Sequence, residues 1–122
     1  MTKKPREIAF EILCKIEADK AYSNIAIDSA VKMYNPDSTD CAFISCLVYG
    51  VIERKITLDY IINKYLSQPI AKLKIPVLTA LRIGVYQILF MDKIPERAAV
   101  NETVNIIKKG KFSYASWLVN AV

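Results

Sequence analysis

A chain of 122 residues with 53% apolar side chains can bury one core and is too apolar to remain disordered. Its three glycines do not supply the turns of a β-sandwich or a glycine-rich loop for a dinucleotide or nucleoside triphosphate. The formal charge of +5 favours an anionic partner, and the absence of histidine removes the commonest general base and most imidazole metal sites.

The first predicted helix starts at Pro5, where a missing N–H costs nothing. Ile8, Ala9, Ile12, Leu13 and Ile16 recur at three- and four-residue spacing and give it one apolar stripe, ending at Asp19-Lys20. Ser23 or Asn24 is the candidate N-cap of a second helix through Ile27, Ala30, Val31 and Tyr34. Asn35-Pro36-Asp37-Ser38 is a turn with its own capping signal. A third helix is expected from about Thr39 to Leu66, with Phe43, Leu47, Gly50, Val51, Arg54, Leu58, Ile61, Ile62 and Tyr65 on one face. Gly50 inside it costs about 1 kcal/mol relative to Ala, which points to close approach of another helix. A kink between Glu53 and Thr57 is allowed for.

Ser67-Gln68-Pro69 breaks the pattern and Pro76 restarts it. The fourth helix, Pro76 to Met91, is apolar around most of its circumference and is therefore expected at the centre. A fifth runs from Pro95 to Lys109 and stops at Gly110. A sixth begins near Ser113 and is still apolar at Val122, so a piece of a longer chain is expected. The whole of 1–122 reads as a single all-α domain, a compact bundle of about six to seven helices.

Cys14, Cys41 and Cys46 form no CxxC pair and are odd in number. Their apolar contexts fit reduced core thiols in a cytoplasmic protein. The N-terminus is amphipathic rather than continuously apolar, so neither a signal peptide nor a membrane span is read. No catalytic set and no metal-ligand set emerges, and no catalysis is expected of this segment.

Four polar groupings remain. Lys3, Lys4 and Arg6 open the first helix, either as a solvated terminus or as phosphate contacts. Lys108, Lys109 and Lys111 close the fifth, where cations meet the negative end of the helix dipole for roughly 0.3–1 kcal/mol. Phe112 and Tyr114 beside them could stack an unpaired base or pack on the sixth helix. Lys64, Lys72 and Lys74 read as solubilising charge. Arg82 lies within the most apolar helix, where a charge requires a partner, and Glu102 on the next helix is the candidate. Gln87 and Asn101 are the other polar residues in that stretch, and a structural reading is favoured over a catalytic one.

The run Leu81-Arg82-Ile83-Gly84-Val85-Tyr86-Gln87-Ile88-Leu89-Phe90, the turn to Pro95, Asn101-Glu102 and the ending Trp117-Leu118-Val119-Asn120-Ala121-Val122 together resemble the NusB family. More closely, they resemble the NusB-like N-terminal domain of bacterial 16S rRNA 5-methylcytosine methyltransferases (Sun/RsmB). Val48-Tyr49-Gly50-Val51, Leu58-Asp59-Tyr60-Ile61-Ile62 and Tyr86-Gln87-Ile88-Leu89-Phe90 favour that branch. The resemblance implies an accessory RNA-binding domain that positions 16S rRNA. A C-terminal catalytic domain in cis would use S-adenosylmethionine, with no cofactor in this part. It also implies that Lys3, Lys4 and Arg6 stand where relatives carry an arginine-rich, RNA-contacting start of helix one. Relatives usually have Arg where Cys41 and Glu53 stand here, so any such role is weakened or moved to Arg54 and Lys55. Two alternatives stay open: a stand-alone NusB-type antitermination factor binding RNA with a ribosomal protein, and a protein-interaction module. In the latter, Trp117, Leu118 and Val122 would dock a partner or a second copy.

Overall fold

The computed structural model describes residues 4–20, 22–66 and 73–91, and these form five helices with no strand among them. They are α1 (Pro5–Asp19), α2 (Ser23–Tyr34), α3 (Ser38–Glu53), α4 (Lys55–Tyr65) and α5 (Ile75–Phe90). The expected all-α class holds. The further helices expected over 95–109 and from 113 lie outside the described residues.

Helix α1 starts with Pro5 in its first turn and buries Ile8, Ala9, Ile12 and Leu13. It ends on Lys20 in the left-handed region, at φ 56°. Helix α2 begins at Ser23, so the cap position falls on Tyr22, and no side chain caps it. The expectation of Ser23 or Asn24 as N-cap is corrected: both are helical already. Its other end follows local chemistry. Asn35 takes φ 47°, its N–H bonds the Val31 carbonyl at 2.9 Å, and Pro36 prevents continuation. Asp37 then caps α3, its Oδ1 accepting the Asp40 N–H at 2.8 Å.

The expected long third helix is two helices. Arg54, at φ −106° and ψ 17°, interrupts it, and its N–H reaches both the Gly50 and Ile52 carbonyls. The break falls inside the interval where a kink was allowed for. It redirects α4 so that Leu58 and Ile62 are fully buried and Asp59 faces α5.

Helix α5 packs on α1, α3 and α4, and α1 packs on α2, α3 and α5. These two helices form the middle of the described bundle. As expected from its all-round apolarity, α5 is buried at nine positions from Val77 to Gln87. The main core gathers Ile8, Ile12, Ile44, Leu47, Val48, Leu58 and Ile83. A smaller cluster, Ile62, Val77, Ala80 and Leu81, joins α4 to α5. Each Ile, Leu or Val among them removed from water contributes roughly 1.5–3 kcal/mol before entropy is counted. Gly50 occupies a real contact: a Cβ there would overlap the ring and hydroxyl of Tyr86.

Candidate functional site

The N-terminal basic cluster is placed only in part. Lys4 is exposed in extended conformation at the start of α1, and its carbonyl receives the Ile8 N–H at 3.1 Å. Arg6, the second residue of the helix, is half-buried and held from two sides. Its Nε donates to Gln87 Oε1 at 2.6 Å, and its guanidinium carbon lies 5.3 Å from the centre of the Phe43 ring. Lys3, Lys108, Lys109, Lys111, Phe112 and Tyr114 lie outside the described residues.

Gln87 is fully buried and satisfied at both ends of its amide. Its Nε2 donates to the Ile83 carbonyl at 3.2 Å while Oε1 receives Arg6. The two partners fix the amide's orientation, since a flipped group would set donor against donor. Sequence reasoning noted Gln87 only as a polar residue in an apolar helix. Its link to Arg6 spans 81 positions, and no local pattern reveals it.

Arg82 finds its acids on α1 and α4. Asp59 clasps it side-on, Oδ1 at 2.7 Å from Nε and Oδ2 at 2.8 Å from Nη2. Glu17 takes Nη1 at 3.2 Å and also receives Lys55 at 2.5 Å. Glu102, the expected partner, lies outside the described residues. The Arg82 side chain is 7% exposed, and both carboxylates are about one-quarter exposed. Hydrogen bonding from Lys55 holds the Glu17 carboxyl below its ordinary value; partial burial opposes this, and the charges of Lys55 and Arg82 add to it. The network crosses three helices and leaves the guanidinium no second unoccupied edge, which fits fixing of register rather than catalysis.

Arg54 and Lys55, the residues expected to inherit lost arginine contacts, are both engaged. Arg54 stacks over Phe90 at 4.3 Å from the ring centre, and Lys55 meets Glu17. Lys64 lies over the Tyr60 ring at 4.6 Å. Cys41 Sγ approaches the Pro36 carbonyl at 3.6 Å. Burial pushes the Cys14 thiol up to about 11; the neighbouring Thr79 hydroxyl pulls the other way only weakly, its buried Oγ1 making no well-formed hydrogen bond. Cys14 and Cys41 are half-buried and Cys46 is exposed, so the expectation of three core thiols holds for none of them in full. Among the described residues, no group of three or more His, Cys, Asp or Glu could hold a metal ion. No described helix is long and apolar enough to cross a membrane.

Comparison with known proteins follows the same lines. The chain is 36% identical over 121 residues to the probable ribosomal RNA small subunit methyltransferase B of Bacillus subtilis, covering 96% of this chain and 27% of that protein. It thus spans about a quarter of the methyltransferase's length. It is 35% identical over 118 residues to the transcription antitermination protein NusB of Ruminiclostridium cellulolyticum, covering 96% of this chain and 81% of that protein. In fold it is similar to a chain in the crystal structure of antitermination factors NusB and NusE in complex with dsRNA. The TM-score is 0.88 at 24% identity, over 96% of this chain and 88% of that one. The NusB family model matches residues 3–122, and with that match, the helical order and the relatives in agreement, the chain belongs to the NusB family.

Proposed function

We propose that this chain is a non-catalytic RNA-binding domain that positions 16S rRNA for a cytosine-5 methyltransferase. The observation that carries the RNA-binding part is Arg6 at the entry to α1, adjoining exposed Lys4, in a chain of the NusB family. Phosphate contacts of this kind set position and lose affinity steeply as salt rises. Support for the methyltransferase part comes from the relative in Bacillus subtilis and from the sequence runs around Gly50, Asp59 and Gln87. The reaction itself would belong to a C-terminal domain in cis that binds S-adenosylmethionine. With three glycines and no glycine-rich loop, no residue here is assigned to that cofactor.

A second reading is supported by the relative in Ruminiclostridium cellulolyticum, most of whose length this chain covers. Under it the protein is a stand-alone cytoplasmic antitermination factor that binds RNA with a ribosomal protein. The reading frame downstream of Val122 separates the two: a catalytic domain with a Pro-Cys motif for the first, a prompt stop codon for the second. For RNA binding, anisotropy with a labelled rRNA segment at low salt should show binding that Lys3→Glu with Arg6→Glu weakens. Absence of binding by the unsubstituted chain defeats the RNA reading in both forms.

A further inference from the structure

Arg6 is held by a neutral acceptor. Gln87 is 0% exposed and its Oε1 takes the Arg6 Nε–H at 2.6 Å, while the Phe43 ring supports the guanidinium at 5.3 Å. Among the described residues no acceptor engages either Nη atom of Arg6. Two consequences follow from the chemistry of guanidinium. With Nε occupied, the edge bearing both Nη atoms is the bidentate fork that remains. Because an amide carries no charge, Arg6 is oriented without being neutralised. A carboxylate at the same position would orient it too, but would cancel the charge a polyanion needs. The contrast lies in the same helix: Arg82 is held by carboxylates, and its charge is cancelled.

We propose that Gln87 is the positioning residue for Arg6, presenting its Nη edge to an RNA phosphate while leaving its charge uncompensated. The proposal rests on the RNA-binding reading above. Gln87 does not touch the RNA; it acts through Arg6. Pre-ordering the side chain lowers the entropy lost when the phosphate is engaged.

The test is anisotropy of the full chain with a fluorescein-labelled RNA duplex across a sodium chloride series. Gln87→Met, which removes the acceptor, should weaken binding about three- to tenfold and leave no more than about a twofold effect in an Arg6→Ala background. Gln87→Glu, which keeps an oxygen at the same reach but adds a negative charge, should also weaken binding and lower the salt slope by about one. A residue that merely stabilised the fold would not change that slope. Thermal melts establish that each variant is folded, and Phe43→Leu, a milder loss of the ring support, provides a second route if Gln87→Met is not. Full additivity with Arg6→Ala, or tighter binding by Gln87→Glu, overturns the proposal. If the unsubstituted chain binds no duplex, the RNA reading and the purpose assigned to Gln87 fall together. The pin itself is read separately by NMR: a slowly exchanging Arg6 Nε–H that becomes fast in Gln87→Met supports it, and fast exchange in the unsubstituted chain overturns it.

Discussion

Arg82 and Asp59 meet side-on across the α4–α5 seam, both carboxylate oxygens within 2.8 Å of the guanidinium. The two partners differ in exposure, and that difference predicts unequal costs of losing them. Asp59→Asn leaves a buried guanidinium with Glu17 as its remaining acid and should cost about 3 kcal/mol. Arg82→Met replaces the cation with an apolar chain of similar reach; the part-exposed Asp59 it frees can hydrate, and Glu17 keeps Lys55. It should therefore cost clearly less. Urea unfolding of both variants and the double substitution measures this, with coupling expected in the cycle. Equal losses for the two single variants would sink the argument.

Gly50 has a steric reason to be glycine. Gly50→Ala should gain about 1 kcal/mol of helix propensity yet lose stability overall, because the new methyl group overlaps Tyr86. Overpacking of this kind costs roughly 1–3 kcal/mol. Tyr86→Leu should relieve the overlap, so the double variant is expected to be more stable than the sum of the single losses. A neutral or stabilising Gly50→Ala in thermal melts would count against the contact.

Glu17 makes stability depend on acid. Its folded-state value is depressed by Lys55 and Arg82, so its contribution is complete above the ordinary glutamate value of 4.5 and is lost as pH falls through the lower folded value. Urea midpoints of the unsubstituted chain and Glu17→Gln should differ at neutral pH and converge below that value. A difference that persists unchanged into acid would contradict the assignment.

The cysteines should react in order of exposure. Cys46 is exposed, whereas Cys14 keeps its proton to about 11. With a thiol reagent at neutral pH, Cys46 should label first and Cys14 only on unfolding, as peptide mass mapping over time would show. Above the ordinary thiol value of 9.0 the unfolded chain ionises at this position and the folded chain does not, so stability should decline there. Rapid labelling of Cys14 in the native state is the contrary result.

Asp37 caps α3 through the Asp40 N–H. Asp37→Ala should cost about 1 kcal/mol in chemical denaturation, and Asp37→Ser should recover most of it. No loss with Ala would mean that water replaces the cap without penalty.

Much of this was legible in the residues themselves. Apolar spacing located α1, α2 and α5, and the oddity of Gly50 in a helix announced the approach of Tyr86. The end of α2 was legible too, because Asn35-Pro36 is a chemical stop. The division between α3 and α4 was readable only as an interval, since Arg54 is neither proline nor glycine and carries no local stop signal. At the candidate site, the need of Arg82 for acids followed from its surroundings. Their identities did not, because Asp59 is 23 positions away and Glu17 is 65. Gln87 escaped for the same reason. A long-range hydrogen bond has no periodicity to betray it.

The corner at Arg54 also makes the chain intolerant of length changes. One residue added between Arg54 and Asp59 would rotate the carboxylate by about 100° around α4. Arg82 would then keep only Glu17 of its two acids. An insertion or deletion there should therefore destabilise the fold more than a side-chain exchange at exposed Ile56 or Thr57.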